Sequence, residues 1–194
     1  RFEGYEKLET TSTVIGIFKN NELVKQAIEG DLVKIVVNRT PFYAESGGQI
    51  GDKGLITSQD LEVSIENVRK KKNIFIHSGI VNTGVLKVNS SVQMNVTPSF
   101  RQRTTSNHTA THLLQSALKL AIDSSVSQRG SLVSNDRLRF DFNAPKPLTI
   151  KELEDMEVRI NQWINEDHPI QIKTMPIKEA MAAGALAMFG EKYG

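Results

Sequence analysis

From Thr13 to Val96 the chain is a series of short segments rich in β-branched residues, divided by glycine and asparagine. Valine, isoleucine and threonine crowd a helix and fit a pleated, half-buried surface, so this stretch has little choice but to form a sheet. Thr13–Phe18 and Glu22–Ala27 flank Asn20-Asn21, a pair that suits the turn of a two-residue hairpin. Asp31–Asn38 alternates around Leu32, Ile35 and Val37. Gly54–Thr57, Leu61–Val68, Ile74–Val81 and Ser91–Val96 follow as further strands. Strands this short and frequent predict a small barrel or a strongly curved sheet. Neither an internal repeat nor a low-complexity segment interrupts them.

The pattern changes after Val96. Thr97-Pro98 pairs a favourable N-cap with proline at the first helical position, and predicts a helix to about Ile122. Val126–Val133 and Arg137–Phe142 read as a hairpin across Ser134-Asn135-Asp136. Thr149 and Glu152 have the spacing of a capping box. Behind them Leu153, Met156, Ile160, Trp163 and Ile164 recur on one face, predicted to be buried. Asp167-His168-Pro169 ends that helix, because a residue preceding proline resists the helical region. Ile170–Met175 reads as a strand, and Pro176 opens a short helix through Ala183. Helices packed on an antiparallel sheet make this half α+β. The expected organisation is a β-rich subdomain over residues 1–97 and an α+β core over residues 98–194.

Within the first helix, His108 and His112 lie four residues apart. At roughly 100° per residue they fall about 40° apart, on the polar edge of a helix whose apolar stripe holds Ala110, Leu113, Leu114, Ala117 and Ala121. Two imidazoles so placed suit one shared ligand, usually a metal ion, or else form a solvated surface pair. His168 is expected at a helix end, and His77, within a strand, has no functional case. Three glycines in five residues, Gly47, Gly48 and Gly51, make the loop Ala44–Asp52 either a plain turn or a place where backbone approaches a ligand closely. Glu45 and Gln49 are its polar side chains, and Tyr43 is expected to pack beneath it.

A net charge of +2 is too small to argue for nucleic acid. Local clusters say more. Arg69–Lys72 reads as a solvated hairpin tip, whereas Arg101 and Arg103 lie one to two turns before His108. With no cysteine, disulfides are excluded, and a cytosolic setting is expected. No secretory signal or apolar run long enough to cross a membrane is visible. Without cysteine, and with no serine in a nucleophile-elbow motif, neither a Cys-His nor a Ser-His-Asp arrangement competes.

Four stretches carry a resemblance. His108-Thr-Ala-Thr-His112-Leu-Leu resembles the zinc-site helix of the alanyl-tRNA synthetase editing domain. Three more resemble that family in the same order: Pro41-Phe-Tyr-Ala-Glu-Ser-Gly-Gly-Gln-Ile-Gly-Asp52; Gln128-Arg-Gly-Ser-Leu-Val133 with Arg137-Leu-Arg-Phe-Asp-Phe142; and Gly184-Ala-Leu-Ala-Met-Phe-Gly-Glu-Lys-Tyr-Gly194. The resemblance implies hydrolysis of the ester joining serine or glycine to tRNA(Ala), with Thr111 and Gln128 lining the pocket. It implies zinc on His108 and His112, and a glycine-rich loop of Glu45, Gly47, Gly48 and Gln49 bordering the substrate. Arg101 and Arg103 are the expected contacts to tRNA phosphates. The implied partners are the acceptor end of tRNA(Ala) and the rest of a parent synthetase. That parent, cytoplasmic, ligates alanine to tRNA using ATP and Mg²⁺, with residues not found in this chain.

A closed zinc site needs three or four protein ligands. The family completes its pair with a Cys-x-x-x-His motif downstream of Gly-Glu-Lys-Tyr-Gly, which these 194 residues do not contain. A shortened piece of a longer chain is therefore expected, binding zinc poorly and hydrolysing slowly alone. Glu45 is the nearest candidate for a third ligand. The alternatives are a free-standing deacylase of the same superfamily, a threonyl-tRNA synthetase editing domain, which shares the histidines but not the glycine-rich match, and a non-catalytic tRNA-binding module.

Overall fold

A computed structural model describes residues 1–169 and 173–185. They divide into two compact units, the first Arg1–Thr111 with Gly130–Phe140, the second His112–Arg129 with the described residues from Asp141 onward.

The first unit is built on nine strands: β1 (Glu9–Lys19), β2 (Glu22–Val24), β3 (Gln26–Ile28), β4 (Leu32–Val37), β5 (Gly54–Ser58), β6 (Leu61–Lys71), β7 (Ile74–Thr83), β8 (Val85–Lys87) and β9 (Ser91–Val96). Six of them run in the order β1-β4-β7-β6-β5-β9, and β9 pairs again with β1, so the sheet closes into an antiparallel barrel. The expected small barrel is thus present, and with it the α+β class.

Closure depends on β1. Its first half, Glu9–Thr13, pairs with β9, and its second half, from Val14, pairs with β4. At the changeover the register shifts between Val14 and Gly16, leaving Ile15 as the extra residue and 54% exposed. Such a bulge bends a strand and increases its twist, which a small barrel requires. Val14, Ile17, Ile35, Ile56, Val63, Ile65, Val81 and Met94 fill the interior and are almost wholly buried.

Asn20 and Asn21 join β1 to β2 with φ of 52° and 67°, the left-handed pair expected of them. The single strand expected over Glu22–Ala27 is two. The chain leaves β1 at Lys25, and β3 pairs with β8 in a separate two-stranded sheet that buries Ala27 and Leu86. β8 was not expected at all: three residues are too few to show a period.

His77, on β7, is fully buried. Its Nδ1 lies 3.1 Å from Ile35 O, an acceptor, so Nδ1 carries the proton. Nε2 then accepts from Thr40 Oγ1 at 2.8 Å, and Thr40 Oγ1 accepts from Phe42 N–H at 3.1 Å. Burial favours the neutral ring and pushes its pKa down to about 4, against a smaller opposing effect of the Ile35 bond. Below its ordinary value near 6.5 the unfolded chain takes up a proton that the folded one refuses. This contribution is intact above about pH 6.5 and falls by roughly 3 kcal/mol as the pH drops to about 4. Denaturant unfolding across that window checks it. His77→Gln should flatten the profile, and an unchanged slope in the variant would contradict the assignment.

Helix α1 (Pro98–Ala121) starts where expected, with Arg101 N–H donating to Thr97 O at 3.1 Å. Strands β10 (Gln128–Val133) and β11 (Leu138–Phe142) form the expected hairpin, its turn closed by Ser134 N–H to Arg137 O at 2.9 Å. In the second unit, helix α2 (Ile150–Glu166) has the expected capping box, Thr149 Oγ1 accepting from Glu152 N–H at 3.2 Å and Glu152 Oε2 accepting from Thr149 N–H at 2.7 Å. It ends at Asp167 in the left-handed conformation, φ 48°, and His168 Nε2 meets Glu166 Oε2 at 2.8 Å at this helix end.

The expected apolar face of α2 is covered only in part. Met156 is buried and Ile160 and Trp163 are half-buried, but Leu153 and Ile164 are exposed. Periodicity identifies an apolar face and not what covers it. Of the strand expected over Ile170–Met175, residues 170–172 lie outside the described residues and Lys173–Met175 are not in a strand. Helix α3 (Ile177–Ala182) follows Pro176 as expected. Of the motif Gly184–Gly194, all but Gly184 and Ala185 lies outside the described residues.

Candidate functional site

The glycine-rich loop is held at its neck. Tyr43 N–H donates to Asp52 Oδ2 at 2.7 Å, and Asp52 N–H donates to Tyr43 O at 3.0 Å. Inside it Ser46 and Gln49 exchange backbone hydrogen bonds of 2.9 and 3.1 Å around Gly47 and Gly48, whose φ angles are 57° and 84°. That pair of positive φ values is what a tight turn of this hand demands, and glycine adopts them without strain. Gly48 is fixed by space as well, because a Cβ there would lie 2.5 Å from Ser131 Oγ and 2.6 Å from Ser131 O. The loop lies along β10: Val133 N–H donates to Gly48 O at 2.8 Å and Ile50 N–H to Val133 O at 3.0 Å. The family motif around Gly130–Val133 and the glycine-rich motif are therefore neighbours. Tyr43 packs edge-on against Phe2, ring centroids 6.3 Å apart, and is half-buried.

Two polar residues of the loop gain a structural setting. Glu45 is turned to β6, its Oε2 accepting from Arg69 Nε at 3.1 Å and Asn67 Nδ2 at 3.4 Å. The cluster read as a solvated tip thus lends one arginine to the loop. Gln49 is 5% exposed and points at α1, its Oε1 lying 2.6 Å from His108 Nδ1.

Arg101 requires a correction. It was expected on tRNA phosphates, but its guanidinium is turned inward. Nε donates to both Asp52 carboxylate oxygens at 3.0 Å, Nη1 to Gly4 O at 2.6 Å and Nη2 to Pro41 O at 2.9 Å, with an ion pair from Nη2 to Asp52 Oδ2. The Asp52 side chain is 2% exposed and that of Arg101 13%. A buried carboxylate attracts the nearest fork of donors, and the backbone carbonyls complete the fit. Arg103, two residues on, is exposed.

On α1, Asn107 Nδ2 donates to Ser134 O at 2.8 Å, which ties the histidine segment to the β10–β11 turn. Thr111 is buried, and its hydroxyl donates to Asn107 O at 2.8 Å, leaving the oxygen's lone pairs as acceptors. His108 and His112 are both exposed. His112 belongs to the second unit, as does Gln128, half-buried at the start of β10. The first unit therefore brings Gln49, Asn107, His108, Thr111 and Ser134 together. Sequence reasoning missed Asn107, Ser134 and Asp52. Asn107 immediately precedes the histidine motif and Asp52 closes the loop motif, so adjacency was the only signal.

The test of zinc is the state of His108. Facing an amide oxygen, Nδ1 bears a proton, so in the neutral ring the lone pair is on Nε2, the form in which imidazole binds metal. His108 fits zinc in that respect, with His112 one turn later on the same helix. Among the described residues no group of three or more histidines and carboxylates gathers to hold an ion. Glu45, engaged with Arg69, does not supply a third.

Comparison with known proteins agrees with these motifs. The family model described as tRNA synthetases class II (A) matches residues 1–99. All 194 residues are 95% identical to part of an alanine–tRNA ligase of Prochlorococcus marinus strain NATL1A. Identity is 53% to the alanine–tRNA ligase of Prochlorococcus marinus strain MIT 9515 and 52% to that of Microcystis aeruginosa, each over 193 residues. In each case the match spans the whole of this chain and 22% of the relative, about a fifth of its length. The chain belongs to the class II (A) tRNA synthetases and is similar throughout to a segment of the alanine–tRNA ligases.

Proposed function

We propose that this segment edits tRNA(Ala), hydrolysing the ester that joins serine or glycine to its 3′ end. The observation that carries the proposal is the contact between the glycine-rich loop and the paired-histidine helix, Gln49 Oε1 to His108 Nδ1 at 2.6 Å. Two motifs 59 residues apart in sequence thus meet at one histidine. A synthetase pocket selecting alanine rejects an added hydroxyl by only about a hundredfold, so a second, hydrolytic site answers a real need.

The residues divide the work as follows. His108 and His112 would hold zinc, completed by ligands elsewhere in the parent protein. When bound, zinc supplies Lewis-acid polarisation and charge near the ester. Thr111 Oγ1, its proton already given to Asn107 O, accepts from the substrate serine hydroxyl. The resemblance assigns Gln128 to the pocket as well, and its amide has both a donor and an acceptor to offer a hydroxyl. Alanine would leave these groups unpaired, and a site built on such bonds discriminates by roughly 10⁴-fold. Gly47 and Gly48 bring backbone close to the acceptor end, and Arg103 takes the phosphate role expected of both arginines. The rest of the synthetase and the acceptor end of tRNA(Ala) are the partners. ATP and Mg²⁺ serve the ligation reaction of the parent, in the cytoplasm. Among the described residues no helix is long and apolar enough to cross a membrane. Identity to full-length ligases supports a synthetase segment over a free-standing deacylase.

Gln128→Ala and Thr111→Val in the full-length protein test the assignment. Each should lower the ratio of seryl- to alanyl-tRNA hydrolysis by about 3- to 10-fold, the value of one hydrogen bond, with the fold intact. Unchanged rates on both esters would remove these residues from the site.

A further inference from the structure

We propose that Gln49 is a positioning residue for the metal ligand His108: its side-chain carbonyl holds the imidazole in the Nδ1–H tautomer and aims Nε2 at the ion. The inference rests on the zinc reading above and goes beyond it, because the loop was assigned to the substrate side of the pocket.

Three observations support it. The contact is short, 2.6 Å, and runs from a side-chain oxygen to a ring nitrogen. An oxygen that only accepts requires Nδ1 to donate, so in the neutral, metal-binding ring the lone pair is on Nε2. Gln49 is 5% exposed, whereas His108 is an exposed residue, so the buried partner orients the accessible one. The Gln49 backbone is also immobilised on both sides, by the Ser46 turn, by Gly48 O to Val133 N–H and by Ile50 N–H to Val133 O. An amide held this firmly loses little freedom on forming the bond, as pre-organisation requires. Metal-bound histidines generally donate their second ring N–H to an oxygen acceptor, and loss of that acceptor weakens metal affinity by about 10- to 100-fold. The glycine-rich motif then has a second purpose. Gly47 and Gly48 shape the turn that delivers Gln49 to His108.

The test uses the full-length synthetase with zinc, measured by competition with a chromophoric chelator, and with cobalt(II), measured by its visible absorption. Gln49→Met matches the length of the side chain and removes the acceptor; Gln49→Glu keeps an oxygen in place. Gln49→Met should weaken zinc binding about 10- to 100-fold and alter the cobalt spectrum, while Gln49→Glu stays within about threefold of wild type or binds more tightly. Unchanged affinity in Gln49→Met would overturn the proposal. Equal losses in both variants would overturn it too, because loop packing and not the acceptor would then be at work. Should the unaltered protein hold no zinc against the chelator, the zinc reading itself falls. Zinc retained equally by wild type and Gln49→Met leaves that reading standing and removes only this role.

Discussion

Replacing Arg101 with methionine is expected to destabilise the first unit by about 3–5 kcal/mol, a large share of the stability of a domain this size. The cause is the charge left behind. Asp52 is 1% exposed, and in the variant its carboxylate would keep the Tyr43 N–H donor but lose the guanidinium that neutralises it. The Gly4 and Pro41 carbonyls would lose their donors as well. Arg101→Lys should recover only part of the loss, since a point charge cannot serve both carboxylate oxygens and two carbonyls at once. Removing both charges, in Arg101→Met with Asp52→Leu, should be milder than Arg101→Met alone, because no uncompensated ion remains. Denaturant unfolding of the chain followed by circular dichroism checks all three variants. A loss below about 1 kcal/mol in Arg101→Met would mean that the pair is more hydrated than its burial implies.

The second large effect concerns the histidine pair. The 194-residue chain alone should hold zinc poorly, because two neutral imidazoles leave the ion largely hydrated. Glu45 was the main candidate to rescue the site, and its carboxylate is engaged with Arg69 and Asn67. In the full-length protein His108→Ala with His112→Ala should abolish stoichiometric zinc at the proposed editing site. Seryl-tRNA hydrolysis should fall about 100-fold or more, since charge stabilisation of this kind is worth several kcal/mol. Alanine ligation should persist, because the proposal gives the two histidines a role in editing alone.

Much of this could be read from the sequence, for identifiable reasons. The β-branched segments, Asn20-Asn21, Thr97-Pro98 and the Thr149–Glu152 box are local signals, and local signals survive folding. What could not be read is mostly long-range. The closure of the barrel depends on β1 changing partner at Ile15, and no periodicity encodes a change of partner. The split at Lys25 and the β3–β8 ribbon depend on Leu86, about 60 residues beyond Ala27 in the chain. Arg101 looked like a phosphate ligand because spacing places it before His108. Its real partner, Asp52, is 49 residues away, and burial of that carboxylate decides where the guanidinium goes. The α2 stripe gave the correct apolar face but overstated its burial at Leu153 and Ile164. At the candidate site the motifs named Gln49 and His108 separately, and only the fold joins them.

The most direct test of the proposed editing function is serine release from seryl-tRNA(Ala) by the full-length protein, compared with its His108→Ala, His112→Ala variant at equal concentration. Rapid release by the wild type, a loss of about 100-fold or more in the variant, and slow hydrolysis of alanyl-tRNA(Ala) by both are the predicted results. Equal rates on seryl-tRNA(Ala), or binding of the tRNA with no hydrolysis by the wild type, would contradict the account and leave a tRNA-binding module in its place.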